Sequence, residues 1–231
     1  MGLKAEAVVF DLFGTLVPSF SKGGYEPCLR GMARDLDVPL EPFRRAWNGQ
    51  LWQDRVMGQF TDAQESIARA CQIIGAHPPR DQVEAALARR LDYERSLLVP
   101  YDEVLPTFMA LRRGRMRIGL ISNCAMELVP LWDDTELSRH IDVAILSAAV
   151  HMAKPDPRIY ELACRRLEAE PGRCLYVGDG SDDELPGAAA VGMHAVLVAP
   201  KSGAAARKHD AAARWDGPRI KSIADVPAVL G

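Results

Sequence analysis

This chain of 231 residues lacks the marks of a disulfide framework, a zinc site, a membrane span or a charged tail. Its five cysteines, Cys28, Cys71, Cys124, Cys164 and Cys174, are odd in number and never stand in C-x-x-C spacing. That argues for free thiols in a reducing compartment. No apolar run approaches the ~20 residues that cross a bilayer, and the N-terminus has no signal-peptide layout. A soluble cytoplasmic protein is expected. Lys and Arg total 28 against 31 Asp and Glu, interspersed, for a net charge of −3. Bulk attraction to nucleic acid or to an anionic membrane is therefore not expected. No His pair has metal-ligand spacing, and no internal repeat is visible. Apolar residues, by contrast, make up 48% of the chain, enough for one large domain or a core with a smaller insert.

The apolar run at the start is the most informative stretch. Val8 to Leu16 reads Val-Val-Phe-Asp-Leu-Phe-Gly-Thr-Leu. It delivers Asp11 to the end of a buried strand, and Gly14 and Thr15 let the backbone turn there. A loop-like stretch from Pro18 to Gly24 follows. The pattern is then helical to about Ser96: Leu29, Met32, Ala33 and Leu36; Phe43, Ala46, Trp47 and Leu51; Ile67, Ala70, Cys71 and Ile74; and Val83, Leu87 and Leu91. Thr61 and Gln64 have capping-box spacing, and Gly75 ends that helix. Residues 17–96 thus read as an all-helical insert between two parts of a core, 1–16 and 97–231.

From Pro100 strands and helices alternate. A helix near Asp102 to Arg113 is closed by Gly114. Strands are expected at Met116–Ser122, Ile141–Ser147, Cys174–Val177 and His194–Val198. Asp156 and Pro157 open a helix whose buried face is Ile159, Leu162, Ala163 and Leu167. Lys201 to Ala213 reads as a surface loop or helix, and Ile220 to Leu230 as a short closing helix. The alternation predicts an α/β fold with right-handed crossovers and a parallel sheet.

In such a sheet the strand ends share one edge, where ligands bind. The ends here carry Asp11; Ser122 and Asn123; Lys154; and the run Gly178-Asp179-Gly180-Ser181-Asp182-Asp183. Carboxylates, a hydroxyl, an amide and an ammonium suit an anion held beside a divalent cation.

These four ordered motifs resemble those of the haloacid dehalogenase-type (HAD) superfamily of hydrolases, and the resemblance covers nearly the whole chain. It implies a Rossmann-like parallel-sheet core sandwiched by helices, with the helical insert as a small cap closing over the site and selecting substrates. It implies Asp11 as the nucleophile. Thr15, Ser122, Asn123 and Lys154 would contact the substrate, with Lys154 also offsetting the charge of Asp11. Mg²⁺ would be held by Asp11, Asp179, Asp183 and the backbone carbonyl of Phe13. Asp182 is a weaker substitute for Asp183, and Glu184 is read with it as a solvated acid at a helix start.

Phe13 departs from the phosphatase pattern, which usually has Asp there to protonate the leaving oxygen. Haloacid dehalogenases carry an aromatic residue at this position, because halide leaves without a proton. The acids of the fourth motif point the other way: packing Asp11, Asp179 and Asp183 together without a cation leaves strong repulsion. The expectation is a Mg²⁺-dependent phosphatase acting through an aspartyl-phosphate on a small phosphorylated metabolite. A 2-haloacid dehalogenase-like hydrolase is the alternative, and a catalytically weak phospho-ligand-binding protein the third. Among weaker signals, Trp47, Trp52 and Arg55 read as a core edge with a snorkelling arginine, and Cys124 as packing. His151 is a minor candidate for proton transfer. The oligomeric state is left open, since the helical stripes suit a bundle core or an interface.

Overall fold

The computed structural model describes residues 4–19, 22–199 and 214–230. Among these, six strands form one sheet: β1 (Ala7–Phe10), β2 (Arg117–Ser122), β3 (Val143–Leu146), β4 (Cys174–Gly178), β5 (His194–Val198) and β6 (Arg219–Ile220). The order is β3-β2-β1-β4-β5-β6, and every neighbouring pair is parallel. β1 lies between β2 and β4, with Phe10 opposite Leu120 on one side and Val177 on the other. All four of its residues are buried, as expected of a parallel strand covered on both faces.

Alternate residues of each strand feed two separate cores. Val8, Phe10, Ile118, Leu120, Leu175 and Val177 face the helix α6 (Val104–Arg113), where the Phe10 and Phe108 rings lie 5.3 Å apart. Ala7, Val9, Ile121 and Tyr176 face α9 (Pro157–Arg166) with its Ile159, Tyr160, Ala163 and Cys164. α9 starts as its residues dictate. The Asp156 side chain accepts the Arg158 N–H at 2.9 Å, Pro157 takes the first position, and Arg165 and Arg166 close the last turn. The short α7 (Val129–Trp132), α8 (Ser147–Val150) and α10 (Glu184–Ala190) follow strand ends, and a helix at Val226–Leu230 closes the chain. The two-residue β6 was not expected. The stretch from Lys201 to Ala213, expected as a loop or helix, lies outside the described residues.

The helical segment comprises α1 (Lys22–Asp35), α2 (Leu40–Arg45), a π-turn at Ala46–Gln50, α3 (Trp52–Val56), α4 (Ala63–Ile73) and α5 (Arg80–Leu97). Leu29, Met32, Phe43, Trp47, Ile67, Cys71, Val83 and Ala86 are among the residues of its own core. Three local readings are corrected. α1 already begins at Lys22, inside the stretch expected as loop. The cap of α4 is one residue later than expected: Asp62 accepts the Glu65 N–H at 2.8 Å, while Glu65 reaches back to Thr61 N at 2.7 Å. The buried face of α5 is Val83, Ala86, Arg90, Glu94 and Leu97, which hydrophobic periodicity misses because two of these are charged. No helix among the described residues is long and apolar enough to cross a membrane.

The α9 cap makes a direct prediction. Asp156→Ala should lower unfolding stability by about 1 kcal/mol, read from the midpoint of a urea titration at unchanged slope.

Candidate active site

The sheet brings the expected strand ends together because β2, β1 and β4 are neighbours. Asp11 still belongs to the sheet: its N–H donates to the Val177 carbonyl at 2.9 Å. The chain then turns. Gly14 has φ 93°, and its N–H donates to the Val17 carbonyl at 2.8 Å. Glycine is required here for a second reason, since a Cβ would lie 2.3 Å from Asp179 Oδ2. The first and fourth motifs are in van der Waals contact through that absent methyl.

Lys154 is the electrostatic centre. Its Nζ donates to Asp11 Oδ1 at 2.6 Å, to Glu184 Oε2 at 2.6 Å and to the Tyr176 hydroxyl at 3.3 Å. The three ammonium protons are thereby used. Tyr176 passes the bond on, donating to Glu184 Oε2 at 2.8 Å. Burial works against the ammonium charge, but Asp11 and Glu184 outweigh it and hold Lys154 well above its ordinary value. Burial raises the Asp11 carboxyl, Asp179 adds to the rise, and Lys154 opposes it. Glu184 is pushed up to about 8, chiefly by burial and with Asp11 and Asp179 contributing, although Lys154 pulls it down.

Glu184, expected as a solvated acid, is instead fully buried and inside the site. Asp182 and Asp183 both adopt left-handed backbone, φ 55° and 50°, and so turn the first residue of α10 inward. Its carboxylate fills the space above Gly178, where a Cβ would lie 2.1 Å from Glu184 Oε1. The Gly180 N–H binds Oε1 at 2.9 Å. Asp183 does not join the cluster. Its side chain is 60% exposed and faces Arg214 at 3.7 Å. Gly178 and the position of Glu184 at the head of the Leu185–Gly187–Ala188 buried face were the available signals.

The remaining expected residues divide into two groups. Thr15 and Ser122 are buried, and among the described residues Thr15 Oγ1, Ser122 Oγ and Asp11 Oδ2 have no hydrogen-bond partner. Buried polar atoms without partners are costly, so these three oxygens are suited to a ligand. Asn123 is committed elsewhere. Its Oδ1 accepts the Lys154 N–H at 2.8 Å, while its Nδ2 donates to the Lys154 carbonyl at 3.0 Å and to Asp182 Oδ2 at 2.9 Å. It therefore acts on the site through the backbone of Lys154. Phe13 is partly buried, packed against the sheet core, and brings no titratable group.

Asp11, Asp179 and Glu184 each offer a carboxylate oxygen, all within 4.8 Å of one another. Against these three acids stands one ammonium, that of Lys154. This donor set fits a hard divalent cation with oxygen ligands such as Mg²⁺. Asp179 is itself oriented by Ser181, whose hydroxyl and N–H donate to its Oδ1 at 2.6 and 3.0 Å.

The helical segment reaches the site through α3. Trp52, Gln53 and Val56 wall a cavity of about 210 Å³ whose other side is Asn123, Lys154, Pro155, Asp182 and Asp183. His151 lies at the rim of this contact, its Nδ1 3.0 Å from the Met57 carbonyl. Cys124 is buried beside the second motif, and burial pushes its thiol up to about 12.

The chain is similar to known proteins in both sequence and fold. Residues 5–192 match the model of the haloacid dehalogenase-like hydrolase family. The chain is 28% identical over 201 residues to a glyceraldehyde 3-phosphate phosphatase of Methanopyrus kandleri, covering 84% of this chain and 83% of that one. Its fold is similar to a 2-haloacid dehalogenase from Pseudomonas syringae (TM-score 0.72, 23% identity, 98% of each chain). It is also similar to a HAD-family enzyme of Bacteroides thetaiotaomicron in complex with magnesium and inorganic phosphate (TM-score 0.65, 17% identity, 86% of this chain and 95% of that one).

Two outcomes follow from the geometry. Gly14→Ala should displace Asp179 and lower the urea unfolding midpoint, since its Cβ would overlap Asp179 Oδ2 and its backbone is left-handed. Cys124 should resist iodoacetamide in the native protein at pH 8 and react only on unfolding, because the thiol is buried and burial disfavours its thiolate.

Proposed function

The chain belongs to the haloacid dehalogenase-like hydrolase family, and from that premise we propose that it is a Mg²⁺-dependent phosphatase acting through Asp11 on a small phosphorylated metabolite. The observation that carries this reading is the buried group of Asp11, Asp179 and Glu184 with a single ammonium, Lys154, between them. An excess of buried carboxylate calls for a cation. The glyceraldehyde 3-phosphate phosphatase similar to this chain supports a phosphorylated small molecule as substrate.

Asp11 and Asp179, with Glu184 beside them, are the residues that would hold Mg²⁺, and the carbonyl of Phe13 is a further candidate ligand. Bound there, the ion supplies positive charge that lets an anionic phosphoryl group approach the carboxylates. The chain's own residues do the rest. Asp11 Oδ2 attacks phosphorus, the bond to the leaving oxygen breaks, and an aspartyl-phosphate forms. The Ser122 and Thr15 hydroxyls donate to the phosphoryl oxygens. Lys154 holds the Asp11 carboxylate in place through Oδ1, which leaves Oδ2 to react. Water then cleaves the aspartyl-phosphate, releasing inorganic phosphate and restoring Asp11. Residues 17–96 serve as the cap, and α3 is its part nearest the leaving group.

Phe13 sets the limit on this chemistry. It has no proton to give an alkoxide, and general acid help is commonly worth ~10²–10⁴-fold. Substrates with a low-pKa leaving group, such as acyl phosphates, or with their own proton donor are therefore favoured. The aromatic at this position also supports a second reading, 2-haloacid dehalogenation through an aspartyl ester, since halide leaves unprotonated. The three-acid cluster weighs against it, because a haloacid carries its own carboxylate.

Phosphate release from acetyl phosphate and p-nitrophenyl phosphate, with Mg²⁺ or EDTA, tests this reading. Release should require Mg²⁺, favour the acyl phosphate and vanish in Asp11→Asn. Halide release from 2-chloropropionate in EDTA would instead establish the dehalogenase reading. Tight phosphate binding with no turnover would establish a binding protein. Phe13→Asp should raise phosphomonoester turnover by up to ~10²-fold, and a lower rate would count against the role given to Phe13.

A further inference from the structure

Four charged side chains are buried at the junction of the helical segment and the sheet core, outside the carboxylate group of the site. Glu127 lies in the stretch that follows Ser122 and is fully buried. Arg55 of α3 donates through Nη2 to Glu127 Oε1. Arg90 of α5 donates through Nε to the same oxygen at 3.4 Å, and its Nη2 lies 2.9 Å from Glu94 Oε2. The Arg55 guanidinium also lies over Trp47, 3.4 Å from the ring centroid, and 5.9 Å from the Trp52 centroid. Arg55 thus does not snorkel to water, as its sequence spacing suggested, but reaches across to the core.

Two guanidiniums and two carboxylates balance in charge, but taking all four from water is expensive. Apolar side chains of similar volume serve stability as well or better. What the charges supply is direction: Oε1 of Glu127 is one point that binds two helices of the segment. Burial alone would favour the neutral acid, yet Arg55 and Arg90 hold the Glu127 carboxyl below its ordinary value. The main chain following Arg55 is docked at the same place. The Ser147 hydroxyl, which accepts the Cys124 N–H at 2.9 Å, lies 2.9 Å from the Val56 carbonyl, and His151 Nδ1 is 3.0 Å from the Met57 carbonyl. α3 is therefore held at Arg55, Val56 and Met57, while its Trp52, Gln53 and Val56 wall the 210 Å³ cavity beside Lys154.

We propose that Glu127 is a positioning residue that, through Arg55 and Arg90, sets α3 against the core and so makes Trp52 and Gln53 the residues that select the leaving group. Glu127 touches neither the phosphoryl group nor Asp11. Its loss alters recognition of the part of the substrate that fills the cavity and leaves recognition of the phosphoryl group intact. The kinetic part of this inference rests on the phosphatase reading.

The test compares Glu127→Gln with the unaltered protein. Hydrogen–deuterium exchange should show faster uptake over residues 51–57 and unchanged uptake over β1. In turnover of the best phosphomonoester found, KM should rise by about tenfold or more, while the inhibition constant of inorganic phosphate stays within about twofold. Trp52→Ala and Gln53→Ala leave the ion pairs of Glu127 in place and should reproduce the KM rise without the change in exchange; should Glu127→Gln fail to fold, Glu127→Asp, which keeps the charge but shortens its reach to Arg55 and Arg90, is read by the same exchange and KM criteria. Unchanged exchange over residues 51–57, or a KM and phosphate inhibition constant that move together, would overturn the role of Glu127. Unaltered KM in both cavity-wall variants would overturn the selection role. Failure of the unaltered protein to release phosphate would sink the phosphatase reading instead, and the exchange comparison would still decide the positioning of α3.

Discussion

One ammonium group organises the site. Lys154 Nζ sits 2.6 Å from both Asp11 Oδ1 and Glu184 Oε2, and without it two buried carboxylates would face each other across the pocket with Asp179 beside them. The fold supplies what that ammonium needs. The sheet order puts the ends of β1, β2 and β4 side by side. Asn123 at the end of β2 grips the Lys154 backbone from both its N–H and carbonyl, and Tyr176 from β4 fills the third bond. A single cation still leaves an excess of negative charge. Beside that excess lie oxygens on Asp11, Thr15 and Ser122 that have no hydrogen-bond partner among the described residues.

Small absences matter as much as charges here. Gly14 and Gly178 each lack the methyl group that would collide with a carboxylate of the site, Asp179 in one case and Glu184 in the other. Such close approach of backbone to functional groups is a use of glycine distinct from turn formation. The left-handed conformations of Asp182 and Asp183 are unfavourable for non-glycine residues, and they turn Glu184 into the pocket. Local strain is thereby concentrated where the carboxylates are assembled.

The helical segment is joined to this centre by a second buried set of charges rather than by apolar contact alone. Glu127 follows the second motif and receives Arg55 and Arg90. The stretch from the end of β2 onward therefore carries Ser122 and Asn123 beside the carboxylates and Glu127, the acceptor of both arginines.

Strands β1 to β5, the parallel α/β class, the helical segment, the placing of Asp11, Ser122 and Asp179 at strand ends and that of Lys154 in the stretch after β3 were legible in the residues. Each is dictated by local periodicity, capping or turn chemistry, as with β1 and with Asp156–Pro157 at the start of α9. Three features were not legible. Glu184 rather than Asp183 enters the carboxylate cluster, since both are acids at a helix start and only the left-handed turn decides which one points inward. Asn123 serves the Lys154 backbone, because its partner lies thirty-one residues away and is met only across the sheet edge. Arg55, Arg90, Glu94 and Glu127 are buried, although hydrophobic periodicity assigns charged residues to solvent. Local forces choose helix, strand and turn from neighbouring residues. The pairing of buried charges is a long-range balance of desolvation and Coulomb attraction, and it exists only once the chain has brought the partners together.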